Sequence, residues 1–88
     1  MNLNHEINKI ILKLNNKEFQ KVINYCEKLI KLKIKNTIIY NLYGQAYQNL
    51  LLYEKSIIKF EKAIELNEDN YYAINNLAIS LKAVEKYK

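Results

Sequence analysis

The sequence predicts an all-α fold: a solenoid of helical hairpins, about five antiparallel helices in one domain spanning residues 1–88. Three observations lead there. Apolar residues recur at helical spacing along most of the chain, as in Ile7, Ile10, Ile11 and Leu14, then Val22, Cys26, Leu29 and Ile30. There is no proline and only one glycine, so little in the chain breaks a helix. The pattern also returns at an offset of 34 residues, which pairs Phe19 with Tyr53 and Tyr87, Gly44 with Ala78, Tyr40 with Ile74, Tyr47 with Leu81 and Leu32 with Leu66. A period of that length, filled by two short helices, is the signature of a helical repeat.

Polar breaks near Asn15-Asn16-Lys17, Lys35-Asn36 and Asn67-Glu68-Asp69-Asn70, with a further break at Leu51-Leu52, place helices over 3–14, 18–33, 37–50, 54–66 and 70–86. The first carries the stripe Ile7, Ile10, Ile11, Leu14; the second sets Val22, Cys26 and Leu29 opposite a row of lysines. The third holds Tyr40, Tyr43, Gly44 and Tyr47, and its glycine costs roughly 0.5–1 kcal/mol relative to alanine. In the fourth, Ser56, Phe60 and Ala63 share a face; in the fifth, Ile74, Leu77, Ala78 and Leu81 do. With glycine and proline missing from the breaks, asparagine is expected to supply both left-handed turn residues and helix caps. Thr37 or Asn36 caps the third helix, and Asp69 or Asn70 the fifth. The short β-branched runs all lie inside 3.6-residue patterns, so no strand is expected.

Gly44 reads as a packing position. Two helices approach at the short end of the 8–10 Å range only where side chains are small. Gly44, Ser56 and Ala63 supply small positions, and Tyr47, Tyr53 and Phe60 fill the space beside them. In the order Tyr40, Tyr43, Gly44, Tyr47, Ser56, Phe60, Ala63 and Glu68, the unit 37–70 resembles the tetratricopeptide repeat family. Tyr43 departs from that pattern at a leucine and Glu68 at a proline. The unit 71–88 keeps Ile74, Leu77, Ala78 and Leu81 and stops after one helix. The unit 3–36 is degenerate: its second helix fits, whereas Ile7, Ile10, Ile11 and Leu14 fall into place only if the turn after them is one residue shorter. The resemblance thus implies about two and a half repeats of a superhelix, and it puts Cys26 where an aromatic packing residue usually stands, a buried, inert thiol.

Composition excludes several classes. The charge is +5, and the single cysteine rules out an internal disulfide and fits a reducing, cytoplasmic setting. The apolar run near the N-terminus is too short for a signal peptide or a membrane span. His5 is the only histidine, with no cysteine or carboxylate pair placed to share a metal or a proton, and one glycine cannot form a phosphate loop. The expectation is a non-enzyme without metal, cofactor or small-molecule substrate.

The resemblance implies that first helices of successive units line a groove that holds an extended peptide or a helix of another protein. Carried over, that groove comprises Ile38, Asn41, Gln45, Gln48 and Asn49 in one unit and Tyr72, Asn75, Asn76, Ile79 and Lys82 in the next. Its amides offer donors and acceptors to a peptide backbone. A subgroup of the family clamps the terminal carboxylate of heat-shock chaperones with Lys, Asn and Arg, but Leu42, Tyr72 and Asn76 occupy those places here. Two other kinds of partner are weighed against the groove. Lys17, Lys21, Lys28, Lys31 and Lys35 form a basic stripe that an acidic protein, an anionic membrane surface or nucleic acid would meet, although the absence of arginine argues against specific nucleic-acid recognition. The fifth helix leaves Ile79, Val84 and Tyr87 without a covering element, which suggests self-association through residues 71–88.

Overall fold

The computed structural model describes residues 2–87, the side chain of Tyr87 excepted. Five helices follow one another: α1 (Leu3–Asn15), α2 (Phe19–Lys31), α3 (Thr37–Asn49), α4 (Tyr53–Leu66) and α5 (Tyr71–Tyr87). No strand occurs among the described residues. Each helix packs on its neighbour in the chain, and α3 also touches α1 and α5, so the arrangement is solenoid-like.

Asparagine starts alternate helices. Asn2 accepts from the His5 N–H at 3.2 Å, Asn36 from Ile38 at 2.8 Å and Ile39 at 3.1 Å, and Asn70 from Ala73 at 3.1 Å. The three caps are 34 residues apart, and each satisfies donors that the first helical turn leaves open. Asn36 and Asn70, rather than Thr37 and Asp69, are therefore the caps. Thr37 instead donates to the Ala63 carbonyl at 2.7 Å and accepts from the Asn70 amide at 2.8 Å, tying the start of α3 to the end of α4.

The left-handed positions are not asparagines. Lys17 (φ 62°), Lys33 (φ 67°) and Leu51 (φ 63°) take them. At the end of α1 the Lys17 N–H donates to Leu14 at 3.0 Å and that of Glu18 to Lys13 at 2.9 Å; after α3, Leu51 donates to Gln48 at 3.0 Å and Leu52 to Tyr47 at 2.9 Å. This is the bond pair of a Schellman stop, which closes the last carbonyls of a helix. It compensates the roughly 1–2 kcal/mol that a side chain costs in the left-handed region.

The two turns match at an offset of 34 residues, as do the bounds of α1 with α3. The expectation of a turn one residue shorter after α1 is therefore wrong. Side-chain volume misled it. Ile10 and Cys26, both fully buried, stand where the next unit has Gly44 and Phe60. A large residue on the first helix meets a small one on the second in one unit, and the order is reversed in the other.

Gly44 is helical, so its value is space and not conformation. A Cβ built on it would lie 2.5 Å and 2.6 Å from ring carbons of Phe60. The close approach is thus made to the Phe60 ring, and Ser56, expected to make room there, turns to α5 instead. One continuous core joins Ile7, Ile10, Val22, Cys26, Leu29, Ile39, Leu42 and Tyr43 across α1, α2 and α3. Tyr40 and Tyr47, expected in the core, are half-buried; they stack on the buried Tyr43 at ring distances of 6.4 Å and 5.3 Å. Tyr53 is half-buried too. Lys59 lies over the Tyr43 ring at 4.6 Å.

Cys26 is buried, with its thiol 3.9 Å from the Ile39 carbonyl, and burial pushes its pKa up from 9.0 to about 12. Below pH 9 folded and unfolded chains both keep this proton; between about 9 and 12 only the folded chain does, so stability falls as pH rises through that window. Urea unfolding at pH 8 and at about pH 10.5 is expected to show a smaller alkaline loss in Cys26→Ala than in the native chain.

Candidate functional site

The alternate helices α3 and α5 run in the same direction and pack side by side. The early-α3 residue Asn41 meets Asn76 and the late-α3 residue Gln48 meets Ser80, as parallel neighbours must. Groove positions predicted from sequence correspond between the two helices at the 34-residue offset: Ile38 with Tyr72, Asn41 with Asn75, Gln45 with Ile79, and Gln48 with Lys82.

The structure divides these ten residues into two sets. Asn41 is only 8% exposed, and its Oδ1 accepts from the Asn76 amide at 3.0 Å. Gln48 donates from Nε2 to the Asn76 carbonyl at 3.0 Å and to Ser80 Oγ at 2.8 Å. Ser56 gives its one hydroxyl hydrogen to the Tyr53 carbonyl at 2.6 Å, so the 2.7 Å contact between the two serines is donated by Ser80. A single chain of hydrogen bonds runs Gln48 to Ser80 to Ser56 to Tyr53 and joins α3, α5 and α4. Among the described residues no buried side-chain polar atom is left without a partner. Asn41, Gln48 and Asn76 therefore hold helices together.

The second set faces outward. Tyr72 is 80% exposed and Ile79 49%. Ile38, Asn49, Asn75 and Lys82 are exposed and Gln45 is half-buried, with the Asn49 amide donating to the Gln45 carbonyl at 2.7 Å. Ile11, equivalent to Gln45 by the same offset, adds an exposed apolar residue on α1 that the sequence reading did not include. Ser80 was also missed. Its only signal in the sequence is a small polar residue on an apolar face.

The basic stripe changes shape. Lys21, Lys28 and Lys31 are exposed on α2, but Lys17 sits in the left-handed turn before it and Lys35 in the connection after it. Lys21 reaches Glu18 at 3.9 Å. On α5, Ile74, Ile79 and Leu81 are exposed and Val84 is half-buried, while the Tyr87 side chain lies outside the described residues. Among the described residues no three His, Cys, Asp or Glu side chains gather as a metal site, and no helix is long and apolar enough to cross a membrane. No family model matches the chain, and no curated protein matches it.

Proposed function

We propose that this chain is a tetratricopeptide-type scaffold, without catalysis, that binds a segment of another protein across α3 and α5. The observation that carries the reading is the mixture of apolar and amide side chains at places of α3 and α5 that correspond at the 34-residue offset: Ile38 and Tyr72, both exposed, and half-buried Gln45 and exposed Ile79, with Asn75 exposed on α5. Apolar side chains supply contact area, and the amides hydrogen-bond a backbone whatever its sequence. The rigid hydrogen-bond chain beneath them holds α3 and α5 at a fixed spacing, which lowers the ordering cost of binding.

The test is a pull-down from native lysate with single-face variants. Tyr72→Ala combined with Ile79→Asp is expected to reduce partner capture at least tenfold with the fold intact by circular dichroism. Lys21, Lys28 and Lys31 changed to Glu are expected to leave capture unchanged. The reverse pattern, with capture that weakens steeply as salt rises, assigns binding to the lysines of α2 and removes the groove reading.

A further inference from the structure

We propose that α5 pairs two copies of this chain, with its row Ile74, Leu77, Ala78 and Leu81 packed antiparallel on the same row of a second copy. At the 34-residue offset these places correspond to Tyr40, Tyr43, Gly44 and Tyr47 of α3, and α4 covers that face of α3. Phe60 lies on Gly44, Lys59 over Tyr43 and Lys55 over Tyr47, so early α4 meets late α3 and the two helices run antiparallel. On α5 the corresponding row is open: Ile74 is 40% and Leu81 50% exposed, Ala78 is exposed and Leu77 half-buried. Steps of three, four and seven residues put these four on one face of the helix, and Tyr72 and Ile79 fall on another.

The two earlier units specify what such a face receives. Bulk is complementary across each hairpin, with Ile10 matched to Cys26 and Gly44 to Phe60. Ala78 lies between isoleucine and glycine in size, so the side chain that fits it lies between cysteine and phenylalanine, as leucine does. The occupant is an antiparallel helix that sets leucine over Ala78 within an apolar row. A second α5 meets each requirement. A two-fold axis across the helix makes the pair antiparallel, and Leu81 stands one turn from Ala78, so each leucine enters the space over the other copy's alanine. Among the described residues no other helix exposes such a row: α1 exposes Ile11 and Leu12, α3 Ile38 and α4 Ile58. Charge also favours this pairing. Glu68 and Asp69 precede α5, while Lys82 and Lys86, with Glu85 between them, lie in its last turns, all exposed. Antiparallel pairing brings the acidic end of each α5 to the basic end of the other.

Sedimentation equilibrium from about 10 µM to about 500 µM covers the range in which a contact below the standard interface size associates. The average mass is expected to rise from 10.5 kDa toward twice that value. Leu81→Asp is expected to weaken pairing at least tenfold with an unchanged helical circular dichroism spectrum, because half of this side chain already faces outward. Lys82→Glu with Lys86→Glu is expected to weaken pairing too, and adding Glu68→Lys and Asp69→Lys to that chain restores it. Tyr72→Ala with Ile79→Asp, on the other face, is expected to pair as the native chain does. A native chain that stays monomeric throughout overturns the proposal and leaves the row to a helix of another protein. A Leu81→Asp chain that pairs as tightly as native also overturns it, as does a fourfold charge reversal that fails to restore pairing.

Discussion

Gly44→Ile alone is expected to unfold or severely destabilise the protein, and Phe60→Cys added to it is expected to restore much of the loss. A side chain at position 44 enters the Phe60 ring, which is fully buried and has nowhere to swing. Overpacking of this kind costs about 1–3 kcal/mol and outweighs the gain of up to about 1 kcal/mol from removing a helical glycine. Phe60→Cys alone leaves a cavity, and losses for large-to-small changes at a buried phenylalanine reach about 3–5 kcal/mol. The double variant reproduces the pair Ile10 and Cys26 that the first unit already uses at the same places. Urea unfolding of the four chains gives the coupling, expected at the upper end of the ~0.5–3 kcal/mol range for touching residues. Additive losses would show that the two units do not share this geometry.

Ser80→Leu is expected to release α5 and leave the rest folded. Ser80 is fully buried, 2.7 Å from Ser56 and 2.8 Å from Gln48. Leucine there overpacks the contact, at a cost of about 1–3 kcal/mol, and removes the hydroxyl that bonds α5 to both Gln48 and Ser56, leaving Gln48 its bond to the Asn76 carbonyl and Ser56 its bond to the Tyr53 carbonyl. The core of α1, α2 and α3 does not depend on this contact, since its large residues belong to a separate cluster. Among the described residues of α5 the fully buried side chains are small, Ala73 and Ser80, so they contribute little apolar area to hold the helix if the polar chain fails. Native-state hydrogen exchange is the measurement: α5 amides should lose protection while those of Cys26 and Ile39 keep it. Uniform loss would mean that the five helices unfold as one unit.

What the sequence made legible follows from what repeats singly. The helices, their order and the 34-residue offset can be read from individual positions such as Gly44, Ala78, Phe19 and Tyr53. The register of α1 could not, because Ile10 and Cys26 exchange bulk with each other and only the pair preserves the pattern. The turns were misassigned because a Schellman stop satisfies the backbone by its hydrogen bonds, so Lys17, Lys33 and Leu51 are tolerated where asparagine was expected. At the candidate site, residue type singled out Asn41, Gln48 and Asn76 but could not show that they bond between α3 and α5. Their partners lie 28 to 35 residues away, and an amide that binds a ligand looks the same in sequence as one that ties two helices.

The packing of each helix mainly on its chain neighbours bears on how the chain is made as well as how it stands. Every helix meets its main partner within the next few dozen residues, so closing each contact restricts only a short loop. During synthesis α1 and α2 can pair as soon as both have left the ribosome, and α3 then covers the surface they expose. Folding can therefore advance from the N-terminus at the pace of translation, each completed hairpin serving as the template for the next.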